Sequence, residues 1–212
     1  MPSQTMTLLN ELPPPDALLI KSKALAILDA IYCQDWTMRY FSHNARWADD
    51  QQMSSMRNGE GDDYFVIHAP YGCAVKGCFS DSRAEAGGPF LDSVAQKIPS
   101  RFAEFMAEPA FSMEQATFVL WFEDDAAGWR AVSSRDADEG GQAALLKWLC
   151  NGPELYRSWA QEYYEVDVDP TLVSHAFNHQ VLSIGAIESL GIPIDRDALI
   201  ADFEEIGYPW VA

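Results

Sequence analysis

The chain has 212 residues, 48% of them hydrophobic and 12% aromatic, which is long and apolar enough to bury a core and excludes an intrinsically disordered protein. Its 32 acidic and 14 basic residues give a formal net charge of −18, a field that repels nucleic acid and anionic membranes and attracts basic proteins. Most of the excess follows residue 106, where 5 basic and 19 acidic residues give 5 − 19 = −14, against 9 − 13 = −4 for residues 1–106.

The chain begins with a segment, residues 1–15, that we expect to be flexible up to the stiff Pro13-Pro14-Pro15 spacer. Asp16 is a good helix N-cap, and apolar residues follow it with helical spacing, which predicts a helix over residues 16–32. This apolar run contains Lys21 and Lys23 and is too short to span a bilayer, and the first ten residues carry no basic cluster. We therefore expect a cytoplasmic protein.

A strand-rich stretch follows the first helix. Residues 36–41 alternate large apolar with mixed residues, which predicts a half-buried strand. The two β-prone runs at 64–68 and 74–79 flank Pro70-Tyr71-Gly72, which is typical of a hairpin.

A second hairpin is predicted with strands at 116–122 and 129–133 around an acidic turn. Between the hairpins, Pro99 fits the first turn of a helix that runs to about Ala107. From Gly141 onward the pattern is helical, with short helices that begin after caps or prolines and end near Gly191 and Gly207.

These elements predict the α+β class, because strands and helices are segregated along the chain. We expect an N-terminal helix, an antiparallel sheet of about five strands with an inserted helix, and a C-terminal cluster of short helices. The domain would be single and span residues 16–212, sheet-rich over 33–135 and helical over 141–207.

The densest polar segment, residues 56–64, contains two glycines and leads straight into a strand. As a functional loop it would use Arg57 to bind an anionic group and Asp62 or Asp63 as a base or cation ligand, with His68 completing a pocket. That interpretation predicts a small-molecule-binding protein or a hydrolase-type enzyme. The alternative is a strand-entry turn with solvated charges, and the segment does not match a calcium loop of the EF-hand type.

Part of this segment, residues 56–65 with Val66-Ile67-His68 after it, resembles a stretch of uncharacterised bacterial proteins of similar length. The run Glu204-Glu205-Ile206-Gly207-Tyr208-Pro209 adds to the resemblance. The resemblance implies a bacterial origin and no activity, so no functional residue is carried over from it.

Other catalytic and metal patterns are weak. His175 and His179 are spaced i, i+4 on a predicted helix and could clamp a metal, but no third ligand is near in sequence, so we expect no metal site. Cys73 lies across the first predicted hairpin from His68, and we interpret the two as a coincidental pair.

The phosphate-binding patterns Gly-x-x-x-x-Gly-Lys-Ser/Thr and Gly-x-Gly-x-x-Gly are both absent from the sequence, and no cofactor is expected. The four cysteines follow no disulfide framework and predict reduced thiols.

The acidic groups Glu123-Asp124-Asp125 and Asp138-Glu139 lie at a hairpin turn and in a loop between elements. Charged turns are commonly a solubility feature, but such a surface can also dock a basic protein through electrostatic steering. We therefore predict, first, a non-enzymatic module that binds a basic partner, as immunity proteins bind basic nuclease toxins, and second, the small-molecule binder or enzyme at the Arg57 loop. A regulatory or scaffold role in a homodimer is the third possibility.

Overall fold

The computed structural model describes residues 9–123, 128–135 and 139–212, and these residues form an α+β protein. The main sheet has six strands, one more than expected. They are β1 (Phe41–Ala48), β2 (Gln51–Arg57), β3 (Asp63–Ala69), β4 (Gly72–Cys78), β5 (Phe118–Glu123) and β6 (Gly128–Ser133). Each strand pairs with its neighbour along the chain, antiparallel throughout. Both predicted hairpins are thus confirmed.

The helices are α1 (Pro15–Tyr32), α2 (Gly88–Ala95), α3 (Ala103–Ala107), α4 (Gln142–Cys150), α5 (Pro153–Tyr163), α6 (Pro170–Phe177), α7 (Ile184–Ser189) and α8 (Arg196–Ile206). The helix predicted between the hairpins is a 3-10 turn at Ser100–Phe102 that continues into α3. Two short parallel strands, β7 (Leu182–Ser183) and β8 (Trp210–Val211), tie the C-terminus to the start of α7.

Helix α1 begins at Pro15, where the missing N–H of proline is not needed. The predicted cap Asp16 instead lies in the first turn, where a carboxylate interacts favourably with the helix dipole. The helix is buried without interruption from Ala24 to Tyr32, because the sheet packs on one side and α6 and α8 on the other. Ahead of it, Leu12 is buried and the Trp129 indole donates to the Pro13 carbonyl.

The sheet separates two cores, because alternate residues of each strand point to opposite faces. One face packs on α1 and the C-terminal helices, through residues such as Phe41, Tyr64 and Leu120. The other face packs on the segment between β4 and β5, through Ile67, Val119 and Trp121 among others. The architecture is therefore three layers, with helices on both sides of one sheet.

The strand predicted at residues 36–41 is wrong. Trp36–Met38 form a 3-10 turn, because Asp35 Oδ1 accepts hydrogen bonds from the backbone N–H and the hydroxyl of Thr37 and so caps the turn. Strand β1 begins only at Phe41. It pairs with β2 through a tight turn in which Asp50 adopts a φ of 57°.

In the described ranges, no helix is long and apolar enough to cross a membrane.

Candidate functional site

The loop before β3 is a hydrogen-bonded turn. Asn58 Oδ1 accepts from the backbone N–H groups of Glu60 and Asp62 at 2.8 and 3.0 Å. The Asp62 carboxylate accepts from Asn58 Nδ2 through one oxygen and from the Ser80 N–H through the other, each at 2.8 Å. One oxygen of Asp62 therefore closes the turn, and the other ties the turn to the chain that follows β4.

Asp63 balances a buried charge. Lys76 is 0% exposed, and its Nζ lies 2.6 Å from Asp63 Oδ1. Burial raises the pKa of Asp63 although the charge of Lys76 opposes the shift. Removing Asp63 from this pair would leave an uncompensated ammonium group inside the protein, so the ion pair stabilises the fold.

Of the other two residues predicted for the site, Arg57 is paired with Asp63 across β2 and β3, and its charge lowers the pKa of the Asp63 carboxyl, whereas His68 lies apart from both. The Arg57 guanidinium lies 5.3 Å from the centroid of the Trp36 ring, a cation–π contact. His68 lies near the far end of β3 from Asp63, roughly 17 Å away at the rise of an extended strand. It lines a cavity with α1 and the β3–β4 turn, not with Arg57, Asp62 or Asp63.

The acidic residues predicted to bind a partner are only partly described. The Glu123 carboxylate accepts from Trp121 Nε1 at 2.8 Å and lies 3.5 Å from Arg130, contacts that lower its pKa. Asp124, Asp125 and Asp138 lie outside the described residues, as does the side chain of Glu139.

The two histidines predicted on one helix face are separated by the end of that helix. Helix α6 ends at Phe177, and His179 beyond it adopts a φ of 53° and packs its ring edge-on against Tyr208 at 5.0 Å. Over the described ranges, no group of three or more His, Cys, Asp or Glu side chains is placed to hold a metal ion.

A different surface combines exposed aromatic and acidic side chains. Tyr163 at the end of α5 is 40% exposed and stacks on Trp159, with ring centroids 5.0 Å apart and planes at 19°. The ring of Tyr40 lies 5.6 Å from that of Tyr163. We call the surface made by Tyr163 and the acidic residues Glu60, Glu162, Glu165 and Asp167 the Tyr163 face.

Contacts with the protein body fix the chain that follows Tyr163. The backbone N–H of Asp169 donates to the Tyr32 hydroxyl at 3.0 Å, and Arg157 Nε donates to the Val168 carbonyl at 3.3 Å. Asp169 also caps α6 by accepting from the Leu172 N–H at 2.6 Å. The acidic side chains of this segment are thus presented from a fixed backbone.

Negative charge concentrates around the Tyr163 face. Burial raises the pKa of Tyr40 to about 12, and the charges of Asp62 and Glu60 add to the shift. Burial likewise raises the pKa of Tyr32 to about 12, and the charges of Asp169 and Asp167 add to the shift. Both tyrosines therefore lie in a field that disfavours a further negative charge.

Three of the cations near these elements already have carboxylate partners. Arg39 forms a two-pronged pair with Asp202 at 2.7 and 2.8 Å, Lys76 pairs with Asp63, and Arg157 pairs with Glu154. Within the described part of the chain, none of the ion pairs includes Glu60, Glu162, Glu165 or Asp167. The carboxylates of the Tyr163 face therefore have no ion-pair partner in the part of the chain that the structure describes.

Sequence reasoning did not single out this face, although a signal exists. Residues 162–169 read Glu-Tyr-Tyr-Glu-Val-Asp-Val-Asp, four acidic and no basic residues interleaved with tyrosines. A run of acidic side chains at a helix end resembles an ordinary solvated turn, and only the packing of Tyr40 and Trp159 under Tyr163 marks it as a surface with an aromatic centre.

Comparison with known protein families, with curated proteins and with solved structures found no match. The resemblance of residues 56–68 and 204–209 to bacterial proteins therefore remains an expectation.

Proposed function

We propose that this protein is a non-enzymatic module that docks a basic protein partner, and that the Tyr163 face contacts it. The observation that carries the proposal is the exposed Tyr163 ring stacked on Trp159, next in the chain to the exposed Glu162, Glu165 and Asp167, which form no ion pair within the described residues. Tyrosine is enriched at the centres of protein interfaces, and its ring attracts cations. The whole-chain charge of −18 would steer a basic partner toward the protein.

The partner's chemistry follows from the face. Lysine or arginine side chains would pair with the carboxylates of Glu162, Glu165 and Asp167, while one of them stacks on Tyr163. A cytoplasmic location belongs to the same proposal, because all four cysteines are free thiols, as expected in a reducing compartment.

The test measures binding of an oligo-arginine peptide to the full chain by calorimetry at low and high salt. The affinity should fall as salt rises, because exposed ion pairs are screened. The triple variant Glu162→Gln, Glu165→Gln and Asp167→Asn should weaken binding about tenfold, the sum of three surface pairs of roughly 0.5 kcal/mol each. Tyr163→Ala should weaken binding further.

The matched control removes three other exposed acidic side chains, with Asp81→Asn, Asp92→Asn and Glu114→Gln in the segment between β4 and β5. It makes the same change in net charge. Equal loss of affinity in the two triple variants would mean that the peptide responds only to total charge, and the proposal would be rejected.

A further inference from the structure

A cleft at the other end of β3 from the polar loop contains a buried thiol–imidazole pair. His68 on β3 and Cys73 on β4 are directly opposite in the register, and His68 Nδ1 lies 3.6 Å from Cys73 Sγ. His68 is 8% exposed and Cys73 1%. Sequence alone suggested a coincidental pair, but the structure places both residues in the wall of one cavity of about 510 Å³.

The pair is neutral at pH 7. Burial lowers the pKa of His68 to about 4 and raises the pKa of the Cys73 thiol well above its usual value. A cysteine nucleophile requires the thiolate form, so these side chains are not a preformed thiolate–imidazolium couple. The two side chains instead interact through a hydrogen bond.

This hydrogen bonding leaves one donor of His68 unused. An imidazole nitrogen accepts a hydrogen bond better than a thiol sulfur does, so the thiol donates to Nδ1 and the ring proton lies on Nε2. Nε2 is buried and has no partner among the described residues. A buried donor without an acceptor is costly, and because His68 belongs to the wall of the cleft, a bound acceptor that reaches Nε2 would remove this cost.

The mouth of the cleft favours a negative charge. Arg101 lines it, and so do Pro15 and Asp16 in the first turn of α1, an 18-residue helix whose N-terminus has no side-chain cap. Free N–H groups at a helix N-terminus attract anions. The carboxylate of Asp16 at the same mouth opposes a second negative charge on the ligand, so a singly charged group fits best.

A close backbone contact puts Arg101 in this position. Gly72 in the β3–β4 turn has a φ of 134°, and a Cβ there would lie 2.8 Å from Phe102 Cζ. The absence of that Cβ lets the Ser100–Phe102 turn pack directly on the hairpin. Arg101 Nε would lie 3.9 Å from the same Cβ position, next to the strand that carries Cys73.

The remaining walls are apolar. Leu19 of α1, Phe122 of β5 and Pro70 line the cleft, and the Tyr71 hydroxyl already donates to Gln51 Oε1 at 3.2 Å. A volume of about 510 Å³ lies in the range of small-molecule sites.

We propose that this cleft binds a small monocarboxylate with an apolar body, whose carboxylate pairs with Arg101 near the α1 N-terminus through one oxygen and accepts a hydrogen bond from His68 Nε2 through the other. The site is separate from the Tyr163 face, and neither proposal depends on the other.

The experiment uses phenylacetate as the probe with the full chain, and compares it with phenylacetamide, which has a similar shape and no charge, and with inorganic phosphate. Calorimetry measures affinity, and NMR follows the His68 Nε2–H resonance, assigned by its loss in His68→Asn. We expect phenylacetate to bind and to shift this resonance, and phenylacetamide and phosphate to bind more weakly.

The variant Arg101→Ala should weaken phenylacetate binding about tenfold, as expected for loss of a charge-assisted hydrogen bond, and should not disturb folding because Arg101 is exposed. Lys97→Ala is the matched control, an exposed cation that does not line the cleft, and should bind like the native protein. No phenylacetate binding, tighter binding of phosphate, or equal effects of the two variants would each overturn the proposal.

Discussion

Single buried polar residues connect elements of this fold that are distant in sequence. The Asp29 carboxylate, 0% exposed on α1, accepts from the backbone N–H groups of Tyr40 and Phe41 at 2.8 Å and from the Tyr156 hydroxyl at 2.9 Å. It thereby fixes the entry of β1 and the position of α5 relative to α1. Because hydrogen-bond donors contact both of its oxygens, the buried Asp29 carboxylate is satisfied within the protein.

At the scale of single residues, mutation of the Lys76–Asp63 ion pair tests its contribution to stability. Asp63→Asn should destabilise the protein by about 3–5 kcal/mol, because it leaves a fully buried ammonium group without its counter-charge. The double variant Lys76→Met with Asp63→Asn should recover most of that loss, since an apolar side chain of similar length replaces the charge. Urea denaturation measures both. A cost below about 1 kcal/mol for the single variant would refute the structural role of Asp63.

At the scale of elements, strand β4 packs against β5 through a glycine. Gly77 is paired with Phe118, and a Cβ at position 77 would lie 2.0 Å from Phe118 Cζ. Phe118 is fully buried, so its ring has little room to move. Glycine at this point of a central strand is therefore required by close packing and not by backbone conformation.

Accordingly, Gly77→Ala should destabilise the protein by about 1–3 kcal/mol through overpacking, and should cost less when Phe118→Leu is already present. Gly128→Ala on β6 is the control, because a Cβ there meets no atom within 4 Å. Thermal and urea unfolding of the four variants give the coupling energy. Equal costs for Gly77→Ala in the two backgrounds would show that the two side chains do not clash.

The residue pattern of each element explains whether the sequence predicts it. The hairpins β3–β4 and β5–β6 carry β-prone apolar runs, and α8 has a capping Asp195, an apolar stripe and Gly207 at its end, so all were predicted. Strands β1 and β2 were not, because polar residues fill buried positions. The Ser54 hydroxyl and His43 Nδ1 form a hydrogen bond of 2.7 Å, and the hydroxyls of Ser42 and Ser55 form another of 2.7 Å. Only cross-strand pairing satisfies these side chains.

Sites are harder to predict than elements for a related reason. The polar loop at residues 57–63 resembles a binding loop in composition, yet Asn58, Asp62 and Asp63 form bonds within the protein. The Cys73–His68 cleft depends on α1, the hairpin and Arg101 meeting in space. Periodicity reports which face of an element is apolar, but it does not report which side chains from distant elements converge.

At the scale of the whole molecule, the face of the sheet under α1 contains buried titratable groups that link stability to pH. Burial lowers the pKa of His43 to about 3 and that of His68 to about 4, and raises the pKa of Asp29 to about 6. The unfolded values are about 6.5 for histidine and 3.9 for aspartate. The histidines and the aspartate act in opposite directions on acidification.

As pH falls below about 6.5, the unfolded chain binds protons at both histidines before the folded protein does, so each histidine removes about 1.4 kcal/mol of stability per pH unit. Between about pH 6 and 4 the folded protein instead binds the proton of Asp29 first, which returns a similar amount. Two losses against one gain leave a net loss of about 1.4 kcal/mol per pH unit from these three groups. Acidification should therefore destabilise the protein.

The variant His68→Gln separates the contribution of the His68 imidazole from the contributions of the carboxylates. The free energy of unfolding of the native protein should fall relative to that of the variant by about 1.4 kcal/mol per unit from pH 6 to 4, and the difference should level off below the folded pKa of His68. For His43→Gln the difference should continue to grow down to about pH 3, because burial lowers the pKa of His43 further. Urea unfolding at a series of pH values measures both differences. A pH-independent difference in either variant would mean that the imidazole titrates in the folded protein as it does in the unfolded chain, and hence that this face of the sheet is open to water.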